Sequence, residues 1–200
     1  MSKQADARAQ SGDKMTTRIH PIRPWTSRQI WRPGALAALL IILMLPVAHA
    51  TTAGAGLDAG NLAPTFSLPS LRADAPDISL EGYRGKVLYV DFWASWCGPC
   101  RKSLPQLNQL RSELGEQGFE IIAVNVDEFV EDALAFLERY PVDYPLAYDG
   151  DGSIAKLYKV RGMPTSYLVN RRGELVYIHE GFRDGDIDDI RSKVTALLAQ

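Results

Sequence analysis

Two cysteines, Cys97 and Cys100, are all the thiols in the 200 residues. No other thiol in the chain competes for whatever chemistry they share. Histidine is almost as scarce, with only His20, His49 and His179. A zinc site built on the cysteine pair needs two further ligands, and the sequence supplies no second pair. Charge of one sign is lacking too: the net value is -2, which gives no support for nucleic-acid binding. Long apolar runs are also absent. The longest, Gly34 to Leu45, is about a dozen residues, short of the roughly 20 that a spanning helix needs.

That apolar run suits the core of a signal peptide. Residues 1–33 ahead of it are polar and basic, with Lys14, Arg18, Arg23, Arg28 and Arg32 outnumbering Asp6 and Asp13. Ala48-His49-Ala50 places small residues where a signal peptidase reads, making Thr51 the expected new N-terminus. An uncleaved anchor through residues 34–50, tethering the chain to a membrane, is the competing reading, and a start at Met15 would shorten the leader. No cysteine lies near the cleavage point, which excludes a lipoprotein. Both readings export the remainder to a compartment where disulfides persist. The expected organisation is a leader over 1–50, a small-residue linker over 51–60 and one folded domain over 61–200.

The cysteines stand in Trp96-Cys97-Gly98-Pro99-Cys100, after the apolar run Val87 to Trp93 and before a helical pattern. A strand delivering the chain to a helix that starts at Cys97 puts free N–H groups and the positive dipole end beside that sulfur. The Cys97 pKa is then expected to fall, and Cys100, one turn deeper, is placed to resolve a mixed disulfide on Cys97. A purely structural disulfide over so short a loop would stabilise little.

Periodicity supplies the rest of the domain. Lys86 to Trp93 reads as a strand buried on both faces. A helix follows to about Gln117, with Leu104, Leu107, Leu110 and Leu114 on one face and a kink expected at Pro105. Gly118 ends it. Phe119 to Val126 is the next strand, and Val130 to Tyr140 a helix with Ala133, Leu134, Phe136 and Leu137 inward. Leu146 to Tyr148 is a short strand, and Asp149 to Gly152 a turn rather than a calcium loop, whose twelfth position would be Val160. A short helix over Ser153 to Tyr158, strands over Ser166 to Asn170 and Leu175 to Glu180, and a closing helix over Asp184 to Ala199 complete the order. The aspartates at 184, 186, 188 and 189 complement that helix's dipole. The fold class is α/β, a mixed central sheet flanked by helices, with a short hairpin of Pro64–Leu68 and Ile78–Leu80 ahead of it.

Asp91 to Cys100, with Met163-Pro164-Thr165 downstream, resembles a thioredoxin-fold protein. The wider frame of Ala63-Pro64-Thr65-Phe66-Ser67-Leu68, Ile78-Ser79-Leu80 and Arg84-Gly85-Lys86-Val87 is similar to the TlpA/ResA-like branch of exported thiol–disulfide oxidoreductases. The resemblance implies that the helix and strand between Val130 and Tyr148 are that branch's central insertion. It implies a cis peptide before Pro164, with Met163, Pro164, Thr165 and the exposed Trp96 forming the substrate groove. Gly98 and Pro99 would tune the redox balance, and their likeness to the thioredoxin dipeptide argues for a reductant. Asp91 matches thioredoxin's buried acid, with a raised pKa and a role in taking the Cys100 proton. The lysine that thioredoxin sets opposite falls at or near Ala123 here. No cofactor beyond the redox-active disulfide is implied. The expected partners are protein thiol or disulfide clients, such as apocytochrome c or copper-site assembly proteins, and a membrane electron donor for recycling, in a periplasmic setting. A net oxidant or isomerase, and a Cu(I)-binding module on the same two thiolates, stay open as alternatives.

Overall fold

The computed structural model describes residues 57–200. The leader, the anchor or cleavage point, and most of the expected linker lie outside the described residues. Within 57–60, the Gly60 N–H donates to the Leu175 carbonyl at 2.7 Å.

Ser67–Leu68 (β1) and Ile78–Ser79 (β2) form the expected short antiparallel hairpin. Val87–Trp93 (β3) follows, buried at all seven positions because it is central: parallel to Phe119–Asn125 (β4) on one side, antiparallel to Thr165–Val169 (β6) on the other. Leu146–Tyr148 (β5) extends the β4 edge, and Leu175–Glu180 (β7) extends the β6 edge. The five-stranded order is β5-β4-β3-β6-β7. This is the mixed sheet read from the sequence.

Side-chain alternation along β3 divides the core into two layers. Val87, Tyr89 and Trp93 face Leu104, Leu107, Leu110 and Leu114 of Cys100–Leu114 (α1) and Ile190 and Val194 of Asp186–Leu198 (α4). Leu88, Val90 and Phe92 face the opposite layer, where Phe66, Leu68, Ile78 and Tyr158 cover the sheet. Tyr158 directly follows Ser153–Leu157 (α3) and meets Phe92 at 5.2 Å between ring centroids.

Two expectations need correction. The helix expected to begin at Cys97 begins at Cys100, after turns through Gly98 and Pro99. It runs through Pro105 to Leu114, a 3-10 turn carries the chain to Gln117, and Gly118 stops it with φ at 98°, a left-handed cap that suits glycine. In Val130–Arg139 (α2), Ala133 and Phe136 are buried and Leu137 is partly so, but Leu134 is 42% exposed. At 100° per residue Leu134 lies on the outer edge of the stripe the other three define. Asp149 stands in the turn ahead of α3. Its carboxylate caps α3, accepting the Ile154 and Ala155 N–H groups at 3.1 and 2.8 Å.

Candidate active site

Cys97 and Cys100 are joined as a disulfide with their Cα atoms 5.3 Å apart. Pro99, with φ at −61°, opens α1 but has no side-chain acceptor to cap it. Cys97 Sγ serves instead, accepting the Cys100 N–H at 3.2 Å. Although the helix starts late, its first N–H still aims at the sulfur of the first cysteine. Cys97 is 3% exposed and Cys100 fully buried, so the residue ahead of the helix holds what solvent contact the pair has. Trp96 beside it is 66% exposed, whereas Trp93 is wholly buried and packs on Phe136 at 5.1 Å.

The loop ahead of Cys97 is fastened by residues whose part was not evident in the sequence. Asp127 accepts the Ser95 N–H at 2.9 Å, the Ser95 hydroxyl at 3.0 Å and the Asn125 side-chain amide at 2.8 Å. An amide at the end of an apolar strand and a carboxylate two residues on were the only signal, because the partner lies 32 residues away in the chain. This clamp ties the segment entering the cysteine motif to the end of β4.

The Met163–Pro164 peptide is cis, as the resemblance implied. Met163, Pro164 and Thr165 line an open groove of about 350 Å³ with Arg161, Gly162, Glu180 and Gly181. Thr165 itself is buried, its hydroxyl donating to the Gly162 carbonyl at 2.7 Å, so it braces the groove.

Asp91 is 1% exposed in the middle of β3. Burial pushes its carboxyl up from 3.8 to about 7, and the Ser166 hydroxyl, donating to Oδ1 at 2.6 Å, pulls the other way. Oδ2 has no hydrogen-bond partner among the described residues. Its register partner on β4 is Ala123, the position where the sequence had suggested the missing lysine. Because Tyr89 and Trp93, two residues either side on β3, lie in the layer that holds Cys97 and Cys100, Asp91 faces that layer too.

A family model described as Redoxin matches residues 58–197. The chain belongs to the Redoxin family. Among curated Redoxin-like relatives, a thiol-disulfide oxidoreductase ResA of Oceanobacillus iheyensis is 33% identical over 72% of this chain and 79% of its own length. The ResA of Bacillus subtilis is 32% identical over 75% and 83%. A crystal structure from Chlorobium tepidum, provisionally named thiol:disulfide interchange protein DsbE, is 41% identical and superposes with a TM-score of 0.68 over 72% of this chain and 99% of that one. This Redoxin-family chain is a thiol–disulfide oxidoreductase, of the ResA-like branch that the sequence motifs resembled.

Proposed function

We propose that the protein is an exported reductase of protein disulfides, with Cys97 as the attacking thiolate and Cys100 as the resolving one. The observation that carries this reading is the asymmetry of the pair: Cys97 keeps slight solvent contact and its sulfur accepts the first helical N–H, while Cys100 is fully buried. That arrangement favours negative charge on Cys97 in the reduced protein. An extended client segment pairs with the backbone of Met163 beside Pro164, with Trp96 as the outer lip, and Thr165 braces the groove.

The reaction has two steps. The Cys97 thiolate attacks one sulfur of the client disulfide and the other client sulfur leaves as a thiolate. Cys100 then loses its proton to Asp91 and attacks Cys97, which frees the second client sulfur and leaves the Cys97–Cys100 bond. Two electrons pass from the dithiol to the client. Gly98-Pro99 supports the reductive direction by its likeness to thioredoxin, and the leader over residues 1–50 supports export to the bacterial periplasm, free or tethered. In such a compartment a reductant must be recharged, so a membrane electron donor is the expected partner and cytochrome c or copper-site thiols the expected clients.

The test is turnover of a protein disulfide by the Cys97→Ser and Cys100→Ser variants. Cys97→Ser is expected to lose activity to background, and Cys100→Ser to accumulate a client joined to Cys97. Retained turnover in Cys97→Ser would overturn the assignment.

A further inference from the structure

Asp91 has two cross-strand neighbours in register, Ala123 on β4 and Ser166 on β6. Ala123 offers only a methyl group. Ser166 is 2% exposed, projects to the same face as Asp91 because the two are direct antiparallel partners, and donates to Oδ1 at 2.6 Å. A buried carboxylate with one hydroxyl as its sole side-chain donor among the described residues depends on that donor for both orientation and charge.

We infer that Ser166 is a positioning residue of the exchange reaction: its hydroxyl holds Asp91 by Oδ1 and favours the carboxylate form, leaving Oδ2 to take the Cys100 proton. The inference rests on the reading of Asp91 as proton acceptor. In the step concerned, the Cys100 S–H bond breaks and its proton moves to Asp91 Oδ2. The resulting thiolate forms the bond to Cys97 Sγ, and the client sulfur departs with the electron pair of the broken mixed disulfide. The Ser166 bond to Oδ1 persists before and after, so it need not rearrange during the transfer.

The other titratable groups at this spot do not compete near neutral pH. Tyr89, on the same strand, and Tyr144, from the segment ahead of β5, are both buried and held well above the usual phenol range, chiefly by that burial. Tyr144 donates to the Leu104 carbonyl of α1 at 3.4 Å. Tyr177 on β7, also raised, and Asp186 on α4 act on Tyr89 rather than directly on Asp91. Asp186 is taken up by His179 and the Arg183 N–H. Cys100, the first residue of α1, and Cys97, three residues ahead of it, are the groups that come from this side.

The experiment uses the full chain, reduced and mixed with an aromatic disulfide dye, and follows release of the dye thiolate in two phases. The first phase reports attack by Cys97 and the second reports resolution by Cys100. In the parent protein the second phase is expected to rise with pH around a midpoint near 7. Ser166→Ala should move that midpoint upward by about one pH unit and slow the second phase about fivefold at pH 7, with the first phase unchanged. Ser166→Thr should restore the parent midpoint and Ser166→Val, of the same shape without the hydroxyl, should not. Should the alanine variant fail to fold, the Thr and Val pair carries the same contrast. An unmoved midpoint in Ser166→Ala, or in Ser166→Val, alongside a changed profile in Asp91→Asn, would overturn the role of Ser166 and leave Asp91 in place. An unchanged profile in Asp91→Asn would overturn the reading of Asp91 itself.

Discussion

Asp91 and Glu120 are buried carboxylates on adjacent parallel strands, and they are held in opposite ways. Glu120, second in β4, accepts a two-pronged contact from Arg111 at 3.0 and 3.3 Å, with Lys86 Nζ 3.6 Å away. Asp91, in the middle of β3, has one serine hydroxyl and no cation among the described residues. The first arrangement offsets the cost of burying charge with an opposite charge that stays in place. The second leaves the cost largely standing, and the carboxyl answers by titrating near neutral pH. A charge that is locked is structural, and one that is poised can move a proton.

The largest way to sharpen this contrast is stability against pH. The folded pKa of Asp91 lies above its unfolded value, so its contribution is full below about pH 4 and is lost as pH rises through about 7. A rise of about three units, at about 1.4 kcal/mol each, makes about 4 kcal/mol. Asp91→Asn, which never ionises, is therefore expected to be more stable than the parent by about that amount at pH 8, with the gap closing by pH 4 in denaturant titrations. Next, at pH 7 Asp91→Asn should slow the resolving step on the order of a hundredfold, while Glu120→Gln leaves it within twofold, measured by dye-thiolate release. Third, Arg111→Ala should cost about 2 kcal/mol of stability, because it strips Glu120 of its closest cation. The smallest effect is expected at Leu134: Leu134→Ser should change stability by no more than about 0.5 kcal/mol, since that side chain lies outside the buried stripe.

The architecture was largely legible because its signals are local. Six apolar residues flanking Asp91 declare β3, leucines at helical spacing declare α1, and Gly118 marks its end. The cysteine motif and Met163-Pro164-Thr165 could be read in the same way. What escaped depended on pairing between distant segments. Ser166 becomes a partner of Asp91 only when β6 lies antiparallel to β3 in one particular register, across 75 residues of chain. Asp127 becomes a clamp only when β4 ends beside the loop holding Ser95. Leu134 misled because five apolar residues in a row, Ala133 to Leu137, leave the edge of a helical stripe ambiguous, and only the packing of α2 decides it. The start of α1 shifted by three residues because Cys97, rather than a capping hydroxyl or carboxylate, accepts the first N–H.

The central claim is that a poised acid beneath an asymmetric cysteine pair serves a reductant. Its most direct test is the equilibrium reduction potential of Cys97–Cys100 at pH 7, followed by the fluorescence of Trp93 and Trp96, one packed in the layer of the cysteines and the other beside them. The account predicts a value near the thioredoxin end of the range, about −270 mV, and a value near about −120 mV, that of a strong oxidant, would contradict it.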